Sequence, residues 1–227
     1  MRNISLIAAL ACMVLVSLPR HVVTAEEPKE FKYAGVIAYS VDPDTRQLVV
    51  LLGKEHRGRR ELKFCPGLKW KGIGGTRDGN ETTVETASRE FDQETGVDAK
   101  TGKGAYGRGF LLKPGQLNPE LRIKHPRHKS YIYLVEVPYK KIGDFPDERD
   151  EVKQLAWVPA SELYAAIDAV KKQHPGRFPD GMIKGRCFAQ IPKNYVGEDR
   201  DLYPPLVDEL EGDTLFRKKL KVPPPKP

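Results

Sequence analysis

The chain has 227 residues, 39% hydrophobic and 30% charged, a balance that suits one main soluble domain with an extension and room for a sizeable core. A formal net charge of +7 favours anionic ligands such as nucleotides and polyphosphates, but charge alone is no strong evidence for a nucleic-acid partner. The three cysteines, Cys12, Cys65 and Cys187, lack zinc-site spacing, which excludes a zinc scaffold.

Residues 1–25 differ from the rest. Arg2 supplies a short positive start, Ile4 to Leu18 is apolar apart from Ser5 and Ser17, Pro19 ends the run, and Val23-Thr24-Ala25 precedes Glu26. This pattern predicts a cleavable secretory signal and a secreted or periplasmic protein. The run is short of the roughly 20 residues a spanning helix needs, so no membrane span is expected after cleavage; an uncleaved N-terminal anchor is the alternative. Cys12 falls in the signal, leaving Cys65 and Cys187 either to pair or to stay separate buried thiols. A main domain is expected over residues 26–175 and a C-terminal extension over 176–227.

Phe31 to Ser40 is β-rich, Asp42-Pro43-Asp44 is turn chemistry, and Gln47 to Gly53 is a second strand, so a hairpin opens the domain. Lys54 to Lys71 reads as a long basic loop. Gly72 to Gly75 and Gly79 break structure before a helix over Thr82 to Glu94, with Val84, Ala87 and Phe91 on its apolar stripe and Gly96 past its end. Strands follow at Tyr131 to Val137 and Leu155 to Val158, then a helix over Ser161 to Lys171. A Gly- and Pro-rich connector begins at His174, Leu206 to Leu220 can form a helix interrupted at Gly212, and the tail from Val222 is Pro-rich. The order predicts an α/β fold, a mixed sheet sandwiched by helices.

One constellation carries chemistry. From Gly75, five residues lead to Glu81 and seven more to Arg89-Glu90; then come Phe91, Asp92, Gln93-Glu94, Thr95, Gly96 and Val97. On a helix, positions 90, 93 and 94 share a face, while Asp92 points away. Hard cations such as Mg²⁺ take oxygen ligands, so two carboxylates there, with a loop carbonyl near Gly75, form a candidate metal and phosphate site.

The spacing resembles the Nudix box, with every fixed position matched except the first Glu of its Glu-Glu pair, here Gln93. The resemblance implies a Nudix-like α/β/α sandwich and a hydrolase that uses Mg or Mn to cleave a diphosphate bond in a nucleoside-diphosphate-linked, small phosphorylated substrate. It implies metal ligation by Glu90, Glu94, Gln93 and Gly75, with Glu90 also helping to activate water. Arg89 would orient Glu90, and Glu81 and Gly96 are structural positions of the motif. Gln93 keeps a neutral carbonyl oxygen but removes one negative charge, which weakens ion binding. The alternative is therefore a catalytically weakened or inactive Nudix-fold module that binds a nucleotide, polyphosphate or protein.

Glu151, ahead of Trp157, is a candidate extra ligand or base, with Glu148 and Asp150 as alternatives in the same acidic loop. Trp157 itself reads as core. Arg57, Arg59, Arg60, Lys71 and Arg127 are candidate phosphate contacts from two basic clusters; each also fits scattered surface charge. His125 and His128 lack the partners a metal site needs. Asn80-Glu81-Thr82 fits an N-glycosylation acceptor that overlaps the motif.

Overall fold

The structure is a computed structural model that describes residues 28, 30–56, 68–97, 101–113, 115–125, 129–146, 151–173, 189–211 and 213–222. The predicted signal, Cys65, Cys187 and the Pro-rich tail after Val222 lie outside these residues. No helix among the described residues is long and apolar enough to cross a membrane.

The opening hairpin forms as its turn chemistry dictates. Strand β1 (Tyr33–Val41) and strand β2 (Leu48–His56) pair antiparallel with Ser40 opposite Val49. The Asp42 carboxylate accepts from the backbone amide of Asp44 at 2.8 Å, and Arg46 takes a left-handed φ of 60° that closes the turn. Strands β3 (Leu68–Lys71) and β4 (Ile73–Thr76) pair with β2 and β1. Strand β5 (Arg122–His125) pairs antiparallel with β6 (Ser130–Glu136), which runs parallel to β1. Strand β7 (Val152–Pro159) lies antiparallel on the other side of β2. The result is one mixed seven-stranded sheet.

Alternation along the strands divides the core into two layers. Ala34, Val36 and Ala38 of β1, Leu51 of β2 and Tyr133 of β6 face helix α1 (Thr83–Thr95), which contributes Ala87 and Phe91. Ile37 of β1, Val50 and Leu52 of β2 and Leu134 of β6 face the opposite side. There they meet Leu163, Tyr164 and Ile167 of helix α2 (Ala160–Gln173). The fold is the α/β sandwich that the element order predicts.

The described part of the expected extension is built into that second layer. A single turn, α3 (Lys193–Val196), is followed by α4 (Pro204–Glu211) and α5 (Leu215–Lys219). Leu206, Val207, Leu210 and Phe216 are buried in the same core as α2. The segment also covers the sheet edge at β3. Trp70 donates its backbone N–H to Asp201 at 2.9 Å and accepts from Tyr203 at 2.8 Å, and its indole donates to the Asp199 carbonyl at 2.6 Å. This satisfies an edge that would otherwise present unpaired backbone groups.

Three stretches differ from their sequence reading. Lys54 to Lys71 is not all loop: β2 runs on through His56, and Leu68 to Lys71 is strand. Gly72 to Gly75 reads as a breaker, yet Ile73 to Thr76 pairs with β1, because its backbone, not its propensity, makes the ladder. The basic residues from Arg122 form β5, held by cross-strand partners that a charge count does not see.

Candidate metal and phosphate site

The loop between β4 and α1 is braced from within. Asp78 N–H donates to Glu81 Oε2 at 3.1 Å, and Arg77 Nε to the Glu81 carbonyl at 2.8 Å. Thr82 caps α1 and forms a capping box with Glu85, satisfying two amides of the first turn. Gly96 ends the helix with φ 83°, its N–H on the Gln93 carbonyl.

Arg89 is the hub. Its Nε and Nη2 grip the two oxygens of Glu81 at 2.8 and 3.1 Å, and Nη2 also donates to the Thr76 carbonyl at 2.8 Å. Nη1 donates to Glu90 Oε1 at 2.7 Å and Gln93 Oε1 at 3.0 Å. These bonds engage all of the donors a guanidinium offers. The two-pronged contact to Glu81 holds the group in place, so Arg89 positions Glu90. The Glu81 carboxyl sits near 2, well below its ordinary 4.5, chiefly because Arg89 donates to it.

Glu90 lies over Gly75. A Cβ at Gly75 would sit 2.3 Å from Glu90 Cδ, so the glycine is needed for close approach of the carboxylate to the backbone. Burial raises the Glu90 carboxyl above the ordinary carboxylate range, opposed by Arg89.

Behind Glu90 the acids go deep. Glu55, Glu94 and Glu151 each bring a carboxylate oxygen within 4.8 Å of the others. Glu94, 2% exposed, accepts from the Gly74 amide at 3.0 Å and faces Lys71 Nζ at 3.1 Å. Lys71 also pairs with Glu55 Oε2 at 2.9 Å and donates to the Gly74 carbonyl at 2.6 Å. Burial, with Glu55 alongside, raises the Glu94 carboxyl, while Lys71 opposes the rise. Glu151 is exposed, just before β7. The ladder between β2 and β7 shifts register at Lys54/Glu55, an irregularity of the kind that re-aims side chains beside sites.

The structure thus gathers Gly75, Arg89, Glu90, Glu94 and Glu151 in one place. Gln93 stays on the exposed flank of α1, turned to Arg89 and not to the deep acids. Asp92 points elsewhere, accepting from the Gly109 amide at 2.7 Å. Lys71 is corrected: expected on a loop toward a phosphate, it lies in β3, 4% exposed, with its ammonium among acids. Arg57, Arg59, Arg60, Arg127, Glu148 and Asp150 lie outside the described residues. Trp157 is half-buried, stacked on Tyr139 with ring centroids 5.5 Å apart.

Glu55 escaped the sequence reading, which ended its strand at Gly53. The available signal was phase: Leu51 faces α1, and two-residue alternation from it places Gly53 and Glu55 on the same face.

A divalent ion, which the motif implies, is fitted in donor type: the cluster is carboxylate and carbonyl oxygen. Glu90 and Glu151 are the residues that would hold it; Glu94, expected as a ligand, has its two oxygens engaged by the Gly74 amide and Lys71. The deeper pair, Glu55 and Glu94, is already neutralised in part by Lys71.

A family model described as NUDIX domain matches residues 32–180. No curated protein matches the chain. Among solved structures, a MutT/nudix family protein from Enterococcus faecalis is similar at 19% identity, covering 60% of this chain and 46% of that one, with a TM-score of 0.37. This chain therefore spans less than half of that protein. A C. elegans Ap4A hydrolase binary complex is similar at 15% identity, over 63% of this chain and 85% of that one, with a TM-score of 0.38. The NUDIX domain of Shewanella oneidensis NrtR complexed with ADP ribose is similar at 14% identity, over 61% and 78%, with a TM-score of 0.39. The match over residues 32–180 spans most of the chain and contains the whole Gly75-to-Val97 constellation: the chain belongs to the Nudix family.

Proposed function

We propose that this chain is a Nudix-type hydrolase that cleaves a diphosphate bond in a small phosphorylated substrate, a nucleoside diphosphate linked to another group, with Mg or Mn. The observation that carries the reading is the Arg89 brace, which aligns Glu90 over Gly75 at the entrance to the Glu55–Glu94–Glu151 cluster. A bound divalent ion would supply charge neutralisation at the diphosphate oxygens.

The chain's own residues divide the remaining work. Glu90 is the acceptor for a proton from water: half-buried, it has a carboxylate made more basic by burial and held at a defined angle by Arg89. Glu94 cannot take that part, because both its oxygens are engaged by Gly74 and Lys71. Glu81 holds Arg89 and never needs to meet substrate. The leader-like residues 1–25 support export of this activity.

A second reading, a weakened Nudix-fold binding module, is favoured by Gln93, whose side-chain oxygen serves Arg89 in place of an acid. One experiment separates the two: a panel of nucleoside-diphosphate-linked compounds assayed with Mg²⁺ and Mn²⁺, on exported protein whose N-terminus has been sequenced. The hydrolase reading expects metal-dependent turnover in wild type, reduced on the order of 10² to 10⁴-fold in Glu90→Gln. Turnover that appears only in Gln93→Glu supports the module, and an intact residue 1 sinks the export reading.

A further inference from the structure

Lys71 is out of place in an acid cluster meant for a resident ion. Its ammonium lies 2.6 Å from the Gly74 carbonyl, 2.9 Å from Glu55 Oε2 and 3.1 Å from Glu94 Oε1. The three oxygens come from β4, β2 and α1, so the tertiary fold assembles the cage. All three charged side chains are buried, with Lys71 4% and both acids 2% exposed. An all-oxygen, partly anionic cage is what a hard cation requires, and the ammonium meets that demand in charge: it donates to the Gly74 carbonyl and ion-pairs with both acids, while Glu55 Oε2 takes no hydrogen bond among the described residues.

The cage is also locked from outside. The second Glu94 oxygen accepts from the Gly74 amide at 3.0 Å, and the Gly74 carbonyl accepts from the Tyr33 hydroxyl at 2.7 Å as well as from Lys71. The Tyr33 ring stands 5.8 Å from the ammonium, a cation–π distance. A divalent ion could enter only by displacing the ammonium, because two cations a few ångströms apart in a buried cage repel strongly.

We infer that Lys71 is a built-in cation: its ammonium takes the place of a resident divalent ion between Glu55, Glu94 and Gly74, and the free protein binds no ion tightly there. This rests on the Nudix reading of the site and refines it. An ion used in hydrolysis would then come with the substrate phosphates to the outward acids, Glu90 and Glu151. Gln93 changes the charge in the same direction. One acid fewer and one internal cation more both lower the site's demand for metal.

The test is a Mn²⁺ titration of the protein without nucleotide, followed by electron paramagnetic resonance of the free ion and by thermal unfolding. Wild type should leave Mn²⁺ largely free and show no Mn²⁺-dependent rise in melting temperature. Lys71→Met should bind one Mn²⁺ on the order of 100-fold more tightly and gain thermal stability with it, since ligand binding to the folded state alone raises stability. The tight site should vanish in the Lys71→Met/Glu55→Gln/Glu94→Gln triple variant. If Lys71→Met folds only with Mn²⁺, that rescue supports the inference. If it folds in neither condition, Lys71→Met/Glu55→Gln, which restores the local charge balance, takes its place and should still bind more tightly than wild type. Tight binding by wild type that is lost in Glu94→Gln would overturn the inference, as would Lys71 variants that bind no better than wild type. Turnover plays no part in this readout, so a failed substrate panel and a failed titration point to different errors.

Discussion

The two faces of the sheet use the same adjacent residues in opposite ways. On β2, Lys54 turns to the α2 face and Glu55 to the α1 face; on β3, Trp70 and Lys71 divide likewise. On the α2 side, Lys54 is buried but pairs with Asp199, whose side chain is 58% exposed, and buried Arg217 likewise pairs with Asp168, whose side chain is 23% exposed. On the α1 side, Lys71 and its two acids are all buried. The contrast teaches what each face sets against its buried cation: one uses acids that reach solvent, the other two acids that are themselves buried. Buried ion pairs contribute little net stability when set against an apolar core, because desolvation offsets attraction. Stability alone therefore does not account for the buried cluster of Lys71, Glu55 and Glu94.

That contrast can be broken from the apolar side first. Phe216, fully buried in the shared core, should cost about 3–5 kcal/mol on substitution by Ala, read as a fall in the urea midpoint in one cooperative transition. A separate early transition for the C-terminal segment would show that the α2 face is not one unit with the sheet.

The site face can be sharpened by pH. The folded Glu81 carboxyl sits near 2 against an ordinary 4.5, so its contribution is present in full above 4.5 and lost as pH falls toward 2. Urea unfolding between those values should therefore show wild type losing stability more steeply than Glu81→Gln. Equal slopes would mean that Arg89 does not hold Glu81 in solution.

The smallest effect is expected where charge meets water. Asp199→Asn removes only the exposed partner of Lys54 and should cost about 1 kcal/mol or less, and added salt should erase the difference. A larger loss would mean that the Lys54–Asp199 pair is as shielded from water as Lys71 and its acids, and would erase the contrast between the faces.

The amino-acid sequence by itself determined the motif, the hairpin, α1 and α2 and the split of the late helix near Gly212. Each depends on local spacing, capping or turn residues that neighbours in the chain supply. It also placed Arg89, Glu90 and Glu94 on one stretch of helix, because helical periodicity is a local rule. It did not reveal β3, β4 or β5, whose ladders depend on partners such as Val36 for Ile73 and Tyr133 for Arg122. Nor did it reveal Glu55 beside Glu94, or Lys71 between them, since β2, β3 and α1 meet only once the sheet is built. The motif's identity is a matter of spacing along the chain; which charges share its centre is a matter of strand register and burial, and only the tertiary structure decides those.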